Sequence, residues 1–134
     1  MTKLSAISIY SGTKREPGAC EIYRGNMPLH FLGENGGWRT AWTWFDVLKS
    51  EGGEALYNLI KSFDVFSFPR MQVKGEQGLK WTYDFFDTIR SVGAGKKIVY
   101  EVDDDYTNEF RHVTDAEAIE VAAYADAITV TTPY

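Results

Sequence analysis

Five short segments rich in β-branched and aromatic residues recur along the chain, and the stretches between them carry apolar residues at helical spacing. Leu4 to Tyr10 ("LSAISIY") interleaves Ile7 and Ile9 with serines and stops at Ser11-Gly12, which reads as a strand. "SGTKREPGACE" is a loop, and helical character runs from Ala19 to about Leu32, with Pro28 either kinking that helix or starting a second one. "GENGG" is expected to close it. "GWRTAWTWF" fits both periods: Trp38, Trp42 and Phe45 suit a helix, but the alternation of Trp38, Thr40, Trp42 and Trp44 and the flanking glycines favour a strand. A short helix through Asp46 to Leu48 stops at Gly52-Gly53, and Leu56, Leu59, Ile60 and Phe63 mark an amphipathic helix. "DVFSFPR" is a strand ended by Pro69. Leu79, Tyr83, Phe86 and Ile89 mark the next helix, "KKIVYEVDD" the next strand, and Thr114 to Glu117 a capping box that opens a last helix before "DAITVTTPY". Strict alternation of this kind predicts a Rossmann-like α/β domain over 1–134, a parallel sheet of about five strands with helices on both faces.

The remaining composition narrows the function classes. A net charge of -5 argues against a nucleic-acid partner, which would require a basic face. Cys20 is the single cysteine, so no internal disulfide can form, as in a reducing compartment. Serines interrupt the apolar residues after Met1, which excludes a secretory h-region. No apolar run reaches the roughly 18 residues of a transmembrane helix. A cytoplasmic protein is expected. The chain stops at "AITVTTPY", on a strand with no helix after it, so a longer protein, incomplete here at the C-terminal side, is expected too.

Ligands of parallel α/β sheets bind outside the carboxyl ends of the strands, and three loops fall there. The first, Ser11 to Cys20, offers Gly18 for close backbone approach to an anion, with Lys14 and Arg15 nearby. It carries neither the dinucleotide nor the P-loop glycine pattern, and a plain surface loop is an equal reading. The second holds Arg70, just past Pro69 and close to Gln72, either a fork for a phosphate or carboxylate or a solvated arginine packed on an aromatic. The third is "KKIVYEVDDDY". In a strand Asp103 and Asp105 would face one way, roughly 6.5–7 Å apart. They could share a hard cation with a phosphate, accept hydrogen bonds from sugar hydroxyls or serve one as general base, or cap a turn. His30 and His112 read as packing and loop residues, and the aromatics Trp38, Trp42, Trp44, Trp81, Tyr83, Phe85 and Phe86 as core or as a stacking surface.

The ordered set "ACEIYRGNMPLHFL", "FDVFSFPR", "KKIVYEVDDDY" and "YADAITVTTPY" resembles the N-terminal half of GT-B glycosyltransferases of the group 1/group 4 type. The "yR…P…L" element of that group is matched by Tyr23, Arg24, Pro28 and Leu32, its "vvyeiDDdl" element by Asp103, Asp104 and Asp105, and its "aDaitvsT" element by Asp126, Thr129 and Thr132. The resemblance implies sugar transfer from a nucleotide-sugar donor to a sugar or glycan acceptor, without cofactor or metal, in a cleft between two Rossmann-like domains. It implies an acceptor-side role for this chain, with Gly18, Arg24, Arg70, Asp104 and Asp105 against the substrate. Asp103 stands where many relatives carry a histidine, which would make it the acceptor-side base. A second α/β domain would supply the donor site, so the chain alone would be inactive. The alternative is a free-standing Rossmann-like ligand-binding or interaction module without catalysis.

Overall fold

A computed structural model describes residues 3–10, 16–19, 21–69, 75–102 and 115–130. Five strands form one sheet: β1 (Ser5–Tyr10), β2 (Arg39–Trp44), β3 (Val65–Pro69), β4 (Lys97–Val102) and β5 (Ala127–Val130). The helices between them are α1 (Met27–Gly36), α2 (Phe45–Glu51), α3 (Gly53–Ser62), α4 (Gly75–Val92) and α5 (Asp115–Ala123). Every pairing is parallel, and the strand order is β2-β1-β3-β4-β5. The expected α/β class is therefore the observed one. No described helix is long and apolar enough to cross a membrane.

The order explains how the helices divide. From β1 the chain steps outward to β2, then returns past β1 to β3 and continues to β5. A right-handed crossover in each direction puts α1 on one face and α2 to α5 on the other. Side-chain parity agrees. Ile7, Ile9, Phe66, Phe68, Ile98 and Tyr100 point to one face and pack with Leu48, Ile60, Phe85, Phe86, Ile89 and Val121 from the helices. Ser8 and Tyr10 point the other way, towards α1.

Pro28 starts a second helix, one of its two expected readings, while the path before it and the last residues of that helix differ from expectation. Residues Glu21–Asn26 form a π-helical turn, and Pro28 lies in the first turn of a separate helix, α1, where its missing N–H costs nothing. That helix does not stop before "GENGG". It runs to Gly36, and Gly37, at φ 66°, ends it by donating its N–H to the Leu32 carbonyl. The ambiguous tryptophan segment is a strand: β2 pairs in register with β1, Arg39 opposite Ser5 and Trp44 opposite Tyr10.

Aspartates fasten the amino ends of the strands. Asp64 precedes β3 and accepts hydrogen bonds from the Ser5 N–H at 2.9 Å and the Ser5 hydroxyl at 2.7 Å. The Ser5 hydroxyl lowers the Asp64 pKa most; burial opposes it, and the Ser5 N–H, Lys96 and Arg39 add to the lowering. Asp126 precedes β5 and accepts from the Ile98 N–H at 2.8 Å, from Arg90 Nη2 at 2.8 Å and from Lys97 Nζ at 3.3 Å. Burial raises its pKa, but those hydrogen bonds and the Arg90 charge outweigh burial and hold the carboxyl below its ordinary value.

Candidate functional site

The strand order reverses at β1, which has β2 on one side and β3 on the other. Doubly wound sheets open a crevice at the carboxyl ends of the strands where the order reverses. The π-helical turn Glu21–Asn26 approaches β1 and β3 beside this point. A π turn widens the helix by one residue and re-aims the side chains it carries, and such turns recur at functional sites.

Three residues of the turn meet the sheet. Arg24 reaches inward, its Nη1 3.4 Å from Glu101 Oε1, with both side chains mostly shielded from water. Gly25 is buried against Tyr10, the fully buried last residue of β1. Asn26 accepts a hydrogen bond from the Tyr10 hydroxyl through Oδ1. Around Tyr10 stand Trp42, at 5.9 Å between ring centroids, and Trp44, at 5.8 Å edge-to-face. The two tryptophans contact each other edge-to-face at 4.9 Å. Trp44 Nε1 and Ser8 Oγ are buried without a hydrogen-bond partner among the described residues. Buried polar atoms normally find a partner in protein, water or ligand.

Gly25 is the tightest point. A Cβ built there would lie 2.5 Å from Tyr10 Cε1. The Tyr10 ring cannot withdraw easily, because both tryptophans hold it. Gly25→Ala is expected to cost about 1–3 kcal/mol through overpacking and to break the Tyr10–Asn26 hydrogen bond. Chemical denaturation measures the loss of stability, and unchanged stability would contradict the packing described.

The sequence-derived candidates fall into two groups. Gly18 and Arg24 lie on the segment that builds the turn. The Gly18 carbonyl accepts from the Ile22 N–H at 3.0 Å and so opens the helical path. Arg24 is ion-paired with Glu101, so part of its charge is met within the chain. Arg70, Asp103, Asp104, Asp105, Lys14, Arg15, Gln72 and His112 lie outside the described residues. The strands leading towards Arg70 and Asp103 end side by side, with Pro69 paired to Glu101. His30 is exposed on α1 and lies 3.2 Å from Glu34 one turn on. Among the described residues no cluster of histidine, cysteine or carboxylate side chains could hold a metal ion.

Glu101, Asn26, Tyr10 and Gly25 were not singled out by sequence. A signal for Glu101 existed: it is the one charged residue among the apolar "IVYEV", on the face opposite Ile98 and Tyr100. A carboxylate inside a central strand needs a cation, and Arg24 supplies it.

The molecule is thus a doubly wound α/β domain with an ion pair, a tyrosine–amide hydrogen bond and an indole N–H unpartnered among the described residues, gathered on the α1 face near the carboxyl ends of its inner strands. Comparison with known families, with curated proteins and with solved structures finds no match.

Proposed function

We propose that this chain is the acceptor-side domain of a nucleotide-sugar glycosyltransferase of the GT-B type. The observation that carries the reading is the pairing of Arg24 with Glu101. Arg24 belongs to the "yR…P…L" element and Glu101 to the strand that leads to the three aspartates. Two motifs that carry the resemblance, far apart in sequence, meet close to the carboxyl ends of the strands, where doubly wound sheets bind ligands. On this reading Arg24 and Gly18 line the acceptor side. Arg70, Asp104 and Asp105 complete it from the neighbouring strand ends. Asp103 accepts the proton of the attacking hydroxyl. A second α/β domain brings the nucleotide-sugar donor.

The test is saturation-transfer NMR on this chain. The probes are methyl glycosides of glucose, galactose, mannose and N-acetylglucosamine, their disaccharides, and UDP-glucose, GDP-mannose, ATP and NAD. The expected result is contact with at least one saccharide, weakened about 10-fold or more by Arg24→Ala, as suits loss of a charged hydrogen bond. Contact with a nucleotide alone, and with none of the saccharides, would overturn the reading in favour of a free-standing ligand-binding module.

A further inference from the structure

Six aromatic rings form a continuous series through the core on the α2–α5 side of the sheet. Centroid separations are 5.6 Å for Tyr83–Tyr124, 6.2 Å for Tyr124–Phe86, 4.7 Å for Phe86–Phe68, 5.6 Å for Phe68–Phe85 and 5.7 Å for Phe85–Phe45. Four of these five contacts are edge-to-face, and the fifth is tilted at 53°. At Phe45 the series meets a cleft between α2, α3 and α4. The cleft has a volume of about 140 Å³, lined by Phe45, Leu48, Leu56, Phe85 and Thr88, with the exposed Lys49 and Asp84 at its rim. Leu48 and Phe85 are buried core residues, so its floor belongs to the rigid part of the molecule.

We propose that this cleft is a binding site for a single aromatic ring, a small monocyclic ligand of benzene size. An apolar cavity of about 150 Å³ lined by leucine, isoleucine and phenylalanine stays dry and accepts benzene. The cleft is close to that volume and is lined mainly by leucine and phenylalanine, and it differs in opening to solvent at the rim where Lys49 and Asp84 stand. Its chemistry selects aromatic over aliphatic rings, because the next member of the series beside Phe45 and Phe85 gains edge-to-face contact as well as burial. The site lies on the α2–α5 side of the sheet, opposite the Arg24–Glu101 pair, and its occupancy does not depend on saccharide binding.

Benzene and cyclohexane are titrated into the isotope-labelled chain and followed by NMR. Saturable shifts are expected at Phe45, Leu56 and Phe85, with benzene about 2- to 12-fold tighter than cyclohexane. Leu56→Phe fills the cleft from a half-buried position and should weaken benzene at least 10-fold while the fold is kept. Thr88→Ile fills it from α4 and serves the same purpose should Leu56→Phe fail to fold. The proposal is overturned by shifts that do not saturate, by benzene shifts centred on Trp42 and Met27, by cyclohexane binding as tightly as benzene, or by unweakened binding in a folded filled variant.

Discussion

Phe68→Ala lowers the unfolding free energy by about 3–5 kcal/mol, the cost of emptying a buried phenylalanine site. Phe68 has no exposed surface and lies on β3, the central strand of the sheet. Its ring stands edge-to-face with Phe85 at 5.6 Å and with Phe86 at 4.7 Å, so it joins the sheet to α4. The site cannot collapse, because neighbouring strands fix the backbone on both sides. A domain of this size has roughly 5–15 kcal/mol in total. The variant should therefore unfold at a far lower urea concentration, with an unchanged slope. Phe68→Leu, which keeps most of the volume, should recover more than half of the loss. A Phe68→Ala chain within 1 kcal/mol of the parent, roughly the effect of an average substitution, would contradict the packing.

Asp126→Ala costs about 2–3 kcal/mol, because a charged acceptor is removed from a shielded backbone donor and from Arg90 together. Arg90 loses one partner but keeps the carbonyls of Lys96, at 3.0 Å, and Tyr124. The Ile98 N–H is left without its acceptor at the start of β4. Asp126→Asn keeps the shape and one carbonyl oxygen, so it should lose less. The same carboxylate governs behaviour in acid. Both Asp64 and Asp126 have folded-state values below the ordinary 3.8. Their stabilisation is complete above the unfolded-chain value and disappears as pH falls through the lower folded values. The thermal midpoint should stay level from pH 7 to about 5 and drop below about 4. Asp126→Asn should show a shallower drop, and an equally steep one would remove Asp126 from the account.

The sheet was legible because its strands announce themselves. Ile7 and Ile9, Phe66 and Phe68, and Ile98 and Tyr100 each place two apolar residues on one face, between turn residues or a helix pattern. Strand order was not legible, since alternation states that strands and helices succeed one another and not that β2 turns outward while β3 crosses back. The π turn left no trace either: Glu21 to Asn26 differs from an α-helix by one residue of winding, below what spacing resolves. Gly25 looked like an ordinary glycine in a helical pattern. Its reason is the Tyr10 ring, contributed by a strand fifteen residues earlier (25 − 10). Asp126 looked like part of a functional motif. It stands at the amino ends of the strands, opposite the end where ligands are expected, and its bonds to Ile98, Arg90 and Lys97 give it a structural role. Arg24 was found by resemblance, and its partner is intelligible only once β4 lies within its reach.

β1 comes first in the sequence yet lies inside the sheet, between β2 and β3. A growing chain can therefore lay β2 against one flank early, while the other flank waits for Val65 to Pro69. The Ser5 N–H waits equally long, since its acceptor Asp64 is 59 residues away in the chain. Such distant closures slow folding, because the entropy of the loop is lost before any contact repays it. Until β3 arrives, the nascent protein carries one flank of β1 exposed, and that interval is when a chaperone or a neighbouring chain would compete for it.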